Sequence, residues 1–235
     1  MKNYVLALLL GAFVAPVQAQ TILASWNFDT ATINATAASF GPIAANVGTG
    51  NASGTHASSA TIWSSPNGNG SAQSFNSSRW TVGDYYQFTT STLGMSGISL
   101  AWDQAGGNTG PKEFKLQYST NGSTFTDYSN YTVLFNGAPN AAWASTGPVQ
   151  SAYALSYNLS AVPSLNNQAT VYFRLTDRST LAINGGLVGT GGVSRVDNFV
   201  ITGSPTAIPE PSTYALLIGG AAIGVVAVRR SRKSA

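Results

Sequence analysis

The chain has 235 residues, enough for one or two domains, and only 8% of them are charged, where about a quarter is usual. It contains no cysteine, which excludes structural disulfides, thiolate zinc sites, a cysteine nucleophile and an acylated-cysteine anchor. The net charge of +3 comes from the ends. Between residues 20 and 206 six basic residues face seven acidic ones, so the body is not a basic nucleic-acid domain.

Residues 1–19 begin with one basic residue, Lys2, continue as an apolar run and end in Val17-Gln18-Ala19. Small residues at the −3 and −1 positions suit a signal peptidase, so cleavage is expected after Ala19 and residues 1–19 are expected to be a helical signal peptide. A buried core helix would carry a polar face, and this run carries none before Gln18.

From residue 20 to 206 the apolar period is two. It recurs at Ile22-Ala24-Trp26-Phe28, Ile98-Leu100-Trp102, Phe114-Leu116-Tyr118, Val171-Phe173-Leu175 and along Val193 to Ile201. Each such stretch predicts a strand with one face inward. Asn121-Gly122 predicts a tight hairpin turn, because both residue types tolerate positive φ. Residues 46–54, 64–78 and 182–192 are dominated by Gly, Ser, Asn and Thr and predict loops. The body therefore reads as one all-β antiparallel sandwich domain, residues 20–206.

Candidate sites are few. His56 is the single histidine, and no Gly-x-Ser-x-Gly elbow frames a serine. Asp103 and Glu113 could be offered as a carboxylate pair, but nothing in the sequence brings them together. The body is expected to be non-enzymatic. An exposed indole gives sugar C–H groups a flat apolar surface to stack on. Trp26 and Trp102 are in phase with inward aliphatics and predict core, whereas Trp63, Trp80 and Trp143 lie beside polar sequence. Trp63 and Trp80 are the first choices for a sugar platform, weighed against simple packing.

The segments Leu23–Asp29, Gly83–Phe88, Phe114–Gly122 and Arg195–Ile201 together resemble secreted jelly-roll domains of the carbohydrate-binding type. The resemblance implies a jelly-roll-like order of strands. It also implies a structural calcium tying the first strand to the last, for which the matching positions are Asp29 and Asp197. The alternative for Asp197 is to cap a turn or to pair with Arg195 or Arg174.

The tail, residues 207–235, has three parts in order. Pro209-Glu210-Pro211 is followed by an uncharged stretch over 212–228 and then by Arg229, Arg230, Arg232 and Lys233. The prolines stop a helix from propagating toward the body. The stretch is near the minimum of about 17 residues for a transmembrane helix. The basic end places the C-terminus in the cytoplasm and the body outside. These residues resemble the PEP-CTERM sorting signal. That resemblance implies an exosortase acting near Pro209–Pro211 of a membrane-anchored precursor. It further implies a Gram-negative host making extracellular polysaccharide, with the mature protein at the cell surface or in the matrix. Two functions follow as expectations: a non-enzymatic surface or matrix protein associated with exopolysaccharide, or a carbohydrate-binding module.

Overall fold

A computed structural model describes residues 19–206. The expected signal helix up to residue 18, the motif Pro209–Pro211, the expected span 212–228 and the basic end all lie outside the described residues. Contacts divide the chain into two units, Met1–Pro205 and Thr206–Ala235. Among the described residues no helix is long and apolar enough to cross a membrane.

The described body is built almost wholly of strands: β1 (Thr21–Trp26), β2 (Ala35–Thr36), β3 (Ser39–Ala44), β4 (Val47–Gly48), β5 (Gly50–Thr55), β6 (Ile62–Ser64), β7 (Phe75–Ser78), β8 (Tyr85–Thr90), β9 (Met95–Gly106), β10 (Glu113–Ser119), β11 (Thr126–Thr132), β12 (Leu134–Phe135), β13 (Ala154–Asn158), β14 (Val171–Asp177) and β15 (Val193–Pro205). Two single 3-10 turns, Ser151–Tyr153 and Pro163–Leu165, interrupt them. Six strands form one sheet in the order β11-β10-β14-β8-β5-β3. Nine form the other along β12-β9-β15-β7-β6-β2, with β1 beside β15 and β4, and β13 beside β9. Every pairing is antiparallel except the short parallel contact of β12 with β9.

The two sheets enclose an aromatic core, so the body is a jelly-roll-like β-sandwich. Tyr86 and Phe88 of β8 face Phe199 and Ile201 of β15 because side chains alternate along each strand. Phe88 and Phe199 meet with ring centroids 3.5 Å apart and planes only 3° from parallel. Trp26 and Trp102 pack edge-on and stacked against the same Phe199. Each large side chain of this kind stabilises the fold by about 1.5–3 kcal/mol when removed from water.

Two predicted loops are strands. Val47–Gly48 and most of Gly50–Thr55 fall in the 46–54 stretch, and Phe75–Ser78 falls in the 64–78 stretch. Glycine serves in β5 because a Cβ on Gly54 would run into the Trp63 ring. The hairpin at Asn121-Gly122 exists, but its loop runs from residue 120 to 125. Within it only Gly122 takes positive φ, while Asn121 Oδ1 accepts the backbone N–H groups of Ser123 and Thr124.

β15 changes phase once. Ser194 and Val196 point to the core, and so do Phe199 and Ile201. The extra residue is absorbed at Asn198, whose φ is 49°, where the register against β9 shifts. This bulge leaves Asp197 on the outer face of the larger sheet.

Candidate functional site

The outer face of the larger sheet carries a polar groove, and strand alternation in β7 explains it. Phe75 and Ser77 point into the sandwich, so Asn76 and Ser78 point out. The ladder aligns Ser64 of β6, Asn76 of β7, Arg195 of β15 and Ala105 of β9 in one cross-strand row. Above this row lie two adjoining hollows of about 300 and 340 Å³ that share Ser64, Asn76 and Val193. Arg195 and Asn136 line the first, and Ser78, Arg79 and Thr190 line the second.

Two side chains in the groove hold buried polar atoms that have no hydrogen-bond partner, Asn76 Oδ1 and Arg79 Nε. The amide nitrogen of Asn76 donates to Ser64 Oγ at 2.9 Å, leaving its oxygen spare. A buried polar atom left unpaired costs about 1–3 kcal/mol, so these two atoms can take a partner brought by water or by a ligand in the groove. Arg79 also has left-handed backbone, φ 57°, a conformation unfavourable for a side chain of its kind. Arg195 is fixed by a 3.0 Å bond from Nη1 to Asn67 O and by packing over the Trp143 ring at 5.0 Å.

Beside the groove the outer face is sealed by the loop 67–73. Asp197 Oδ2 accepts from Asn69 N at 2.7 Å and from Ser71 Oγ at 2.6 Å, and its Oδ1 accepts from Asn198 N at 2.8 Å. Gly68 is required here, because a Cβ would strike Ser71 Oγ and the Asp197 carboxylate. Asn69 then ties the loop to Gln150 by two bonds. Asp103, the cross-strand partner of Asp197, accepts from Asn198 Nδ2 at 2.8 Å. Burial raises both carboxyls. Asp197 is pushed up to about 7, with the hydrogen bonds from Ser71, Asn69 and Asn198 opposing the shift, and Asp103 is raised by burial against bonds from Asn198 and Asn69.

Asp29 holds the same loop, accepting from Gln73 N at 2.9 Å. Asp29 and Asp197 are thus two anchors of one loop. Three of the four carboxylate oxygens already accept hydrogen bonds from this loop or from Asn198, so their lone pairs are committed to the loop. Among the described residues no group of three or more His, Cys, Asp or Glu comes together. The donor set does not fit the expected calcium. Asp197 also has no ion pair with Arg174 or Arg195. Its role is to hold the turn.

The expected aromatic platform is corrected. Trp63 is 0% and Trp80 3% exposed, and both belong to the central core. Trp63 Nε1 donates to Ala37 O and Trp80 Nε1 to Ser77 O, which satisfies each indole inside. Trp63 is the inward residue of β6, and Trp80 follows β7 directly, so polar neighbours in sequence do not mean an exposed ring. Trp143 is also buried, against Tyr153 and Ala105.

Ser77, His56 and Asp84 do come together. Ser77 Oγ lies 3.2 Å from His56 Nε2, and His56 Nδ1 lies 3.2 Å from Asp84 Oδ2. The geometry resembles a hydrolytic triad, but it is locked in the core between Trp63 and Trp80. Ser77 Oγ also meets Tyr86 OH at 2.9 Å, and Asp84 accepts from Ala57 N and Thr81 N. Burial lowers His56 to about 4, with the Asp84 charge opposing, so the ring is neutral near pH 7. All three side chains serve the fold. Asp103 and Glu113 lie in different sheets, and Glu113 pairs with Arg178 at 3.2 Å.

The body is thus a β-sandwich with a polar groove on one outer face. Residues 207–233 match the PEP-CTERM protein-sorting motif, so the chain carries a sorting signal behind its sandwich. No curated protein matches the chain. Among solved structures it is similar to the CBM22-1 xylan-binding domain of Xyn10C from Paenibacillus barcinonensis, with 10% identity, 82% of this chain and 100% of that one covered, and a TM-score of 0.40. It is also similar to the K1 cleaved adhesin domain of Lys-gingipain from Porphyromonas gingivalis, with 14% identity, 80% and 99% covered, and a TM-score of 0.39. A family 35 carbohydrate-binding module from Clostridium thermocellum aligns at 16% identity over 60% of this chain and 86% of that one, with a TM-score of 0.35.

Proposed function

We propose that the protein is an exported, non-enzymatic surface or matrix protein, sorted by an exosortase and associated with extracellular polysaccharide through its sandwich. The sorting motif at 207–233 is the observation that supports this reading. Signal peptidase removes residues 1–19, the segment 212–228 pauses in the inner membrane, and Arg229, Arg230, Arg232 and Lys233 keep its end cytoplasmic. Exosortase then acts near Pro209-Glu210-Pro211 and the body passes to the surface of a Gram-negative cell. The groove supports the carbohydrate part: amide, hydroxyl and guanidinium groups converge there, which suits a hydroxyl-rich ligand. The test is intact mass and cell fractionation in the native host, with and without residues 209–211. A mature extracellular form that lacks both ends is expected. An unprocessed form held in the inner membrane in both strains would overturn the sorting.

A further inference from the structure

The following inference rests on the reading of the body as a polysaccharide-associated domain, and it names the chemistry of the glycan. We propose that the groove binds the carboxylate groups of an acidic polysaccharide, with Arg79 and Arg195 as its cationic contacts and Asn76 as the acceptor shared by both hollows.

Charge is scarce in this body, so its placement is informative. Of the six basic residues, Lys115 pairs with Asp127 and Arg178 with Glu113, and Lys112 lies outside both hollows. Arg174 lies between the rings of Tyr85 and Phe125, at 3.8 and 3.6 Å. Arg79 and Arg195 have no ion pair among the described residues, and both line the groove. No carboxylate lines either hollow. The groove is therefore a cationic site in a body with an excess of acids.

The unpartnered atoms sharpen the assignment. Arg79 Nε is a buried donor without an acceptor, and a guanidinium fork matches a planar carboxylate with two parallel bonds. Arg195 spends one bond on Asn67 O and is held over Trp143, so its fork is preorganised. Asn76 Oδ1 is a buried acceptor without a donor, and Asn76 is 94% buried, at 6% exposure. An acceptor beside two cations repels a bare anion. It suits a ligand that brings hydroxyl donors together with its charge, which is the chemistry of a sugar acid. Two adjoining hollows with one arginine each suit a chain that repeats the acidic unit.

The experiment uses the full-length chain in detergent micelles at low salt. Polygalacturonate is titrated by calorimetry beside the same polymer fully methyl-esterified. Binding to the acid form and none to the ester is expected. Arg79→Gln and Arg195→Gln are each expected to weaken it about tenfold, as for loss of a charged hydrogen bond. Arg178→Gln removes equal charge outside the groove and is expected to stay within about twofold. Arg79→Lys keeps charge without the fork and should fall between, with near-UV dichroism reporting the fold of every variant. Equal binding of acid and ester, equal weakening by Arg178→Gln, or equal binding of dextran sulfate would overturn the proposal. Binding of neutral xylan that Asn76→Ala abolishes, with polygalacturonate ignored, leaves the polysaccharide reading standing and sinks this one. No binding to any of these polymers sinks both.

Discussion

Asp29 and Asp197 grip opposite ends of one loop. Asp29 Oδ1 takes the N–H of Gln73, and Asp197 Oδ2 takes the N–H of Asn69 and the hydroxyl of Ser71. The first strand's exit and the last strand's bulge are therefore linked through the segment 67–73, and hydrogen bonds do the tying.

This relationship predicts how the loop responds to mutation. Asp197→Ala should cost about 1–3 kcal/mol, since it strands buried donors. Amide hydrogen exchange at Asn69 should rise sharply, while Asp29→Ala should release Gln73 alone. Chelation with EDTA should leave the midpoint of thermal unfolding unchanged in the native chain. A fall of several degrees on chelation would restore a structural metal.

Stability should decline as pH rises from about 4 to about 7. Burial pushes Asp197 and Asp177 each up to about 7, from an ordinary value of 3.8. In that window the folded state holds protons that the unfolded state has released, so raising the pH favours unfolding. His56 has the opposite sign. Lowered from 6.5 to about 4, it weakens the fold as pH falls through that interval. Urea unfolding at several pH values should give a steeper decline with pH in His56→Gln and a shallower one in Asp197→Asn. Parallel profiles in all three proteins would refute both assignments.

The buried triad-like set predicts a negative labelling result. Ser77 is 0% exposed and also bonded to Tyr86, so a fluorophosphonate probe should not modify the native chain. Ser77→Ala should lower stability by about 1–3 kcal/mol by unpairing its buried neighbours. Stoichiometric labelling at Ser77 would reopen the enzyme reading.

Gly54→Ala should destabilise by about 1–3 kcal/mol, because overpacking forces a core ring off its place. The added Cβ meets the Trp63 ring, which stacks with Phe75. Equilibrium unfolding followed by tryptophan fluorescence measures it. An unchanged midpoint would mean that β5 and β6 are not packed as described.

How far the sequence reaches is clearest at β5 and β7. The strands with branched and aromatic residues, such as Val171–Asp177, are legible from alternation alone. Gly50–Thr55 is not, because its inward positions are small to receive rings from elsewhere in the chain. The 75–78 strand hides its buried Ser77, whose partners His56 and Tyr86 lie outside it. The groove is not legible in the sequence for a related reason. Asn76, Arg79 and Arg195 become a site only when β7 and its exit align with β15, more than a hundred residues on. The one local hint is polar alternation in Asn76 and Ser78 beside Phe75.

β15 supplies Val193 and Arg195 to the groove and runs on to Pro205, where the sorting tail begins in sequence. It lies within its sheet, laddered to β9, β7 and β1. A pull between the groove and the Pro205 end of this strand would therefore run lengthwise along a single interior strand. Lengthwise traction loads the ladder bonds on both flanks together, where a peel from an edge would break them in succession. Along that line the strand is loaded in shear.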